Sequence, residues 1–269
     1  MNQIPSPHLN DFDTAKRIEK YQNRLLWIAA SLSVMAFILN LDTLKISITA
    51  KSWIVLVNYF TKSAGIIVSV MAIVYATLEF IVLSYIAAGG KKKRSDLIDN
   101  SLGSNLSGIR SENYYSNSKL CDGLYKLAVN CFENSFFTAT IVSKMLWKKW
   151  ITSSTLVVAI ILAAFSGSTS LLNMLIQLSV TGIVLQQSIK LQWYYFKMNQ
   201  IFEDFKTLFN SLNVITDPEK RSPEILKNVL NYECTHAWGG VLNDTEIYKN
   251  LNPSLSKDWE IMKKNYNIK

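Results

Sequence analysis

Cysteine and histidine, the side chains that most often bind transition metals, are scarce in this chain. Its 269 residues hold two histidines and three cysteines. Cys121, Cys131 and Cys234 are scattered and odd in number, so no disulfide scaffold is indicated. Cys234 and His236 form the one close Cys/His pair, and two ligands do not make a zinc site. Gly89-Gly90 precedes a run of lysines but lacks the spacing of a phosphate-cradling loop. There is no nucleophile elbow, paired-histidine metal helix or zinc knuckle. No catalytic residue, metal or cofactor is therefore expected, and the chain does not read as an enzyme. The amino terminus, Met1 to Asn23, is polar and lacks the early apolar core of a cleavable signal peptide.

Charge is the other absence, and it is local. No charged residue occurs from Ile151 to Ile189, a span of 39 residues. As one helix it would reach roughly 58 Å, about twice a bilayer's hydrocarbon core. The polar turn Ser166-Gly167-Ser168-Thr169-Ser170 divides it into two apolar runs. This pattern predicts a transmembrane helical hairpin. Trp147, Lys148, Lys149 and Trp150 mark its entry, and Lys190, Trp193, Tyr194 and Tyr195 its exit. Basic and aromatic residues suit the headgroup layer. The alternative is a buried hairpin of a soluble domain, but soluble helices of this length ordinarily carry a polar stripe.

Two further apolar stretches precede the hairpin. Leu25 to Leu41 gives a first span, entered from a helix beginning near Asp11 or Asp13. Trp53 to Ala88 is too long for one span, and Ala64 to Ala88 is its cleanest window. That window places Glu79 inside the apolar region, where a carboxylate suggests a functional site. Otherwise the span lies earlier, or Glu79 pairs with a neighbouring helix. Gly89-Gly90 is expected to end this helix.

The net charge is +8. Direct nucleic-acid binding is one explanation. Retention of lysines beside an anionic inner leaflet is another, and it fits Lys91-Lys92-Lys93-Arg94 directly following an apolar stretch. Basic residues number four before the first span, three between spans one and two, ten from Gly89 to Lys149, none in the 168–170 turn and eleven after the fourth span. The positive-inside rule then sets both termini and the central segment in the cytosol.

Residues 94–117 are dense in Gly, Asn and Ser, which argues against a continuous helix there. Beyond them Leu120, Leu124, Leu127, Cys131, Ser135, Thr138, Ile141, Val142 and Met145 mark one helical face. After the fourth span Ile189, Trp193, Phe196, Ile201, Phe205, Leu208 and Leu212 mark another. The two extensions emerge side by side, so they are expected to pack as an antiparallel stalk. Ser222 and Pro223 start a helix to about Trp238, and Gly239-Gly240 stops it. Asp244 caps a short helix through Leu251, and Asn252-Pro253 starts a last one. The expected fold is thus an all-α membrane protein with four transmembrane helices. Its parts are a cytosolic helix (1–24), spans one and two (25–88), a cytosolic loop and amphipathic helix (89–149), spans three and four (150–189), and a stalk with a small helical carboxy-terminal domain (190–269).

The Arg110–Asn117 stretch is the candidate binding surface. Arg110 can donate bidentately to phosphate. Tyr114 and Tyr115 offer stacking faces. Asn100, Asn113 and Asn117 can read polar edges, and Asp99 joins them at the head of the loop. The alternative is a loop packed on the stalk. Asp96 and Asp99 can bind a cation or perform acid–base work, but acids so spaced in a turn more often satisfy backbone groups.

Asp96-Leu97-Ile98-Asp99-Asn100-Ser101-Leu102-Gly103, with Arg110-Ser111-Glu112-Asn113-Tyr114-Tyr115-Ser116-Asn117, resembles the SMODS-associating four-transmembrane effectors. Leu251-Asn252-Pro253 with Trp259 and Tyr266 is similar as well. The resemblance implies an abortive-infection effector of a CBASS-like antiphage system in the bacterial inner membrane. It implies activation by a cyclic nucleotide, another sensor-generated signal or a partner sensor protein. The expectation that follows is a homo-oligomer, in contact with membrane lipids, that forms a pore or depolarises the membrane. Two rivals stay open: a small channel or transporter subunit using Glu79, and a membrane anchor recruiting a cytosolic partner.

Overall fold

A computed structural model describes residues 9–39, 51–108, 117–165, 171–212 and 218–268. Every regular element among them is helical. Helix α1 is Leu9–Leu39, α2 is Lys51–Leu102, α3 is Leu124–Phe165 and α4 is Leu171–Leu212. A 3-10 turn at Pro218–Arg221 leads into α5, Ser222–Gly239, and α6 is Thr245–Asn265. The 166–170 turn and the connection over 40–50 lie outside the described residues. One helix among the described residues is long and apolar enough to cross a membrane, the stretch Ser52–Leu102.

The chain divides into two compact units. The first holds Met1–Thr14, Ser84–Trp147 and Lys190–Lys269, and the second Ala15–Leu83 and Lys148–Ile189. In the second unit α1 meets α2 through Ala29, Ala30 and Val68, with Leu26, Leu32 and Met71 around them. The two alanines let the helix axes approach closely.

In the first unit the core is aromatic. The Phe132 ring of α3 stacks on Phe209 at 5.1 Å and Phe205 at 5.9 Å, both from α4. Trp259 and Tyr266 meet it edge-on at 5.3 and 5.5 Å. Tyr125 faces Phe209 and Phe136 faces Phe202, so α3 and α4 run antiparallel here. Leu127, Cys131, Ser135, Thr138, Ile141 and Val142 are buried along α3, on the face that the spacing predicts. On α4 the buried stripe is Leu191, Tyr194, Met198, Ile201, Phe205, Leu208 and Leu212. Ile189 and Phe196, expected inside, are exposed. Several apolar phases are available at the start of α4, and the one that seats Tyr194 under α5 prevails.

Gly89-Gly90 does not end α2, which continues to Leu102. A Cβ at Gly89 would stand 3.1 Å from the Phe12 ring and 3.2 Å from the Asp11 Cβ, so the glycine admits the start of α1. Lys92 then pairs with Asp11 at 2.7 Å. The stop comes at Gly103, whose φ of +70° is the left-handed conformation a helix C-cap favours. Its N–H donates to the Asp99 carbonyl at 3.1 Å.

Helix α5 carries Pro223 in its first turn and ends at Gly240 in the left-handed region. Gly239 lies flush on Tyr194, where a Cβ would be 2.3 Å from the ring. Asp244 caps α6 by accepting from Glu246 and Ile247 N–H. The expected break at Asn252-Pro253 is absent, and Pro253 lies inside one continuous helix. Proline there removes one backbone bond. The buried stripe Leu255 and Trp259, with Trp259 on Phe132, offsets that loss.

Candidate functional site

The end of α2 carries a buried carboxylate that organises the chain after it. Asp99 is completely buried. One of its oxygens accepts from Ser104 Oγ at 2.7 Å and Leu106 N–H at 2.6 Å. The other accepts from Ser107 N–H at 2.7 Å and Ser107 Oγ at 2.5 Å. Burial pushes the Asp99 carboxyl up, but these four donors outweigh it and hold the group well below its ordinary 3.8. One side chain thus fastens residues 104–107 to the last turn of α2.

A second clamp holds the far end of the same loop. The Asn117 amide donates to Asn130 Oδ1 at 2.9 Å and Glu133 Oε2 at 2.7 Å, both on α3. Asn130 donates in turn to Ser101 Oγ at 2.9 Å, and the Ser101 carbonyl accepts from Gly123 N–H at 2.8 Å. Asn117, Asn130 and Ser101 are all buried. Asn100 turns back along its own helix and donates to the Asp96 carbonyl and side chain at 2.9 and 3.0 Å.

The structure therefore brings Asp99, Asn100 and Asn117 to the base of the loop and engages their polar atoms within the protein. Arg110, Asn113, Tyr114 and Tyr115 lie outside the described residues. Asn130, Ser101 and Glu133 complete the clamps and are absent from the set expected on sequence. A polar side chain amid the apolar residues of α3, as Asn130 is between Val129 and Cys131, is the signal that finds them.

Glu79 has a partner. Gln22 of α1 donates to its carboxylate at 3.0 Å and approaches the Tyr75 carbonyl at 3.3 Å. Further along the second unit the Gln187 amide donates to the Tyr75 hydroxyl. Lys149 donates to the Gln187 oxygen at 3.3 Å, and Ser153 and Ser188 share a hydrogen bond at 2.6 Å. These bonds join α1 to α2, α2 to α4 and α3 to α4.

Cys131 is buried, and burial raises its thiol well above the ordinary value. Cys121 and Cys234 are exposed, and all three are free thiols. The His236 ring turns to Lys93, with 3.2 Å between Nζ and Nε2. Among the described residues no group of three or more His, Cys, Asp or Glu side chains is placed to hold a metal ion. No family model matches the chain, and neither a curated protein nor a solved structure matches it.

Proposed function

We propose that the chain is a four-span, oligomer-forming membrane effector whose cytosolic helices convert a signal into breaching or depolarisation of the bilayer. One observation carries the membrane reading: the second unit turns large apolar side chains outward and seals a few polar ones among the small apolar residues of its interior. Ile66, Ile73 and Phe80 on α2 are 67, 68 and 73% exposed, whereas Gln22 and Ser188 are 1 and 0% exposed. Water selects the opposite arrangement, and lipid accepts this one. Hydroxyls on the same helices are satisfied without solvent. Ser33, Ser69 and Thr77 each donate to the carbonyl four residues back, at 2.8, 2.9 and 3.0 Å.

Signal transfer rests on α2, which carries both the apolar outward face and the Asp99 clamp on residues 104–107. The resemblance to SMODS-associating four-transmembrane effectors supplies the setting of antiphage abortive infection in the bacterial inner membrane. A cyclic nucleotide, another sensor product or a sensor protein would act on the loop or stalk. The test is expression of the full chain, with and without a nucleotide-second-messenger synthase as candidate sensor, during phage challenge while a dye follows membrane potential. Collapse of the potential only when both are active is expected. Unchanged potential and growth under sustained activation refute the proposal.

The Gln22–Glu79 contact favours a second reading, a channel or transporter using Glu79 for coupling or selectivity. Glu79→Gln keeps an oxygen that accepts from Gln22 but removes the charge. Loss of function in Glu79→Gln with tolerance of Arg110→Ala selects this reading, and the reverse selects the effector.

A further inference from the structure

Where the apolar part of α2 gives way to its lysines, α2 and α5 enclose a cleft of about 200 Å³. At ~30 Å³ per water that is room for six or seven waters, enough for a phosphate and its ester group. Ile86 and Ala87 form an apolar wall. Lys93, Arg94, Glu233 and His236 form the polar end. Gly90 leaves space between them, since a Cβ there would meet nothing within 4 Å.

The charges do not balance. Arg94 donates through Nε to Glu233 at 2.8 Å, which neutralises the carboxylate and occupies one of the five N–H groups of the guanidinium. Lys93 forms no ion pair among the described residues and reaches the His236 ring nitrogen at 3.2 Å. Burial, then the neighbouring Lys93, pushes His236 down to about 3, so the imidazole is neutral and accepts from the ammonium. Burial also lowers Lys93, and Glu233 compensates in part. Two cationic side chains thus share one carboxylate, and a bound anion would balance the charge left over.

We infer that this cleft binds a phosphate ester, with the phosphate on Lys93 and Arg94 and the ester group against Ile86 and Ala87. Lys supplies a point charge and Arg two further donors of fork geometry, as phosphate recognition requires. An anionic phospholipid headgroup is one source of that chemistry and free phosphate another. The surroundings favour the lipid. Trp238 follows His236 by two residues, is 67% exposed, and packs on Trp193 at 4.1 Å between ring centroids. An exposed indole suits the headgroup layer. The inference goes beyond the effector role, because this cleft is distinct from the Asp99 clamp and its assay reads bound phosphate, not membrane damage.

The experiment is native mass spectrometry of the full chain in neutral detergent. It is titrated in separate arms with dioleoyl phosphatidylglycerol, dioleoyl phosphatidylcholine and inorganic phosphate. Saturable binding of phosphatidylglycerol above phosphatidylcholine is expected, falling about tenfold or more in Lys93→Gln/Arg94→Gln and unchanged in Lys257→Gln. Gly90→Leu fills the cleft without altering charge and favours the helix, so it must weaken binding even if the double variant fails to fold. Binding confined to inorganic phosphate, with the same variant losses, keeps the site and assigns it to a soluble phosphate. Equal phosphatidylglycerol binding by wild type and Gly90→Leu overturns the inference, as does the absence of binding in every arm.

Discussion

Replacing Asp99 by Asn tests whether one carboxylate holds the central loop. The side chain keeps its shape, but one oxygen becomes an amide nitrogen. If that oxygen is the one facing Ser107, the Ser107 hydroxyl can rotate to accept, while the Ser107 N–H at 2.7 Å meets a donor and loses its partner. That loss costs about 2 kcal/mol, and the two bonds to the remaining oxygen each forfeit ~1 kcal/mol of charge assistance. The total is about 4 kcal/mol. The opposite orientation leaves Leu106 N–H unpaired and gives the same sum. Hydrogen exchange on the full chain in detergent reads this at the amides of Leu106 and Ser107, where protection should fall by up to about a thousandfold. Asn100→Ala removes only contacts to Asp96 one turn back and should cost about 1 kcal/mol. The pH dependence has a definite sign. The folded carboxyl lies below its ordinary 3.8, so its stabilisation is complete above about pH 4 and is lost as pH falls through the folded value. Wild type should open over 104–107 in acid, and Asp99→Asn should show no such step. Unchanged protection at Leu106 and Ser107 in the variant would refute the anchoring role.

Phe132→Ala should destabilise the first unit by about 3–5 kcal/mol, because the ring is buried among five aromatic partners; the midpoint of denaturant unfolding measures it. Gly239→Ala should cost about 1–3 kcal/mol, since its Cβ would stand 2.3 Å from the buried Tyr194 ring; thermal unfolding followed by tryptophan fluorescence reads the shift. A maleimide should label Cys121 and Cys234 in the folded protein and Cys131 only after unfolding. Applied to intact cells as an impermeant reagent, it should label none until the membrane is opened, and labelling from outside would reverse the proposed orientation.

The local signals in the sequence translate directly into structure. Asp244 caps, Gly240 takes the left-handed conformation, and the 127–131–135–138 spacing lies on the buried face of α3. What escapes sequence reading depends on partners distant in the chain. Gly89-Gly90 reads as a stop until Phe12 and Asp11 are seen packed against it. Asn252-Pro253 reads as a break until the burial of Trp259 on Phe132 is known. At the site, the spacing of Asp96 and Asp99 already points to backbone satisfaction, which Asp99 performs, but the partners Leu106, Ser107, Asn130 and Glu133 are not legible. Lys93 cannot be told from Lys91 and Lys92 by sequence, because only the packing of α5 sets His236 against it.

The polarity of α2 ties these observations together. Before residue 84 its exposed side chains are large and apolar, including Val55, Leu56, Tyr59, Ile66, Val70, Ile73 and Phe80. After residue 94 its buried side chains include Asp96, Asp99 and Ser101 with Leu97. Full burial of one large apolar side chain is worth about 1.5–3 kcal/mol. Seven such side chains more than half exposed in water would therefore forgo about 10 kcal/mol, comparable to the whole stability of a domain. That face needs an apolar surround. A water-soluble partner could cover the stripe, but it would not explain Gln22, Ser153 and Ser188 sealed inside the same unit, or the Ser33, Ser69 and Thr77 hydroxyls turned onto their own helices. The proposed bilayer setting would account for both, because lipid tolerates apolar surface and penalises every unsatisfied polar group. The continuation of α2 is charged, with Lys91 and Lys92 exposed, as an aqueous surround favours. Under the proposed membrane reading, one unbroken helix would meet two environments, with Lys91-Lys92-Lys93-Arg94 at the transition.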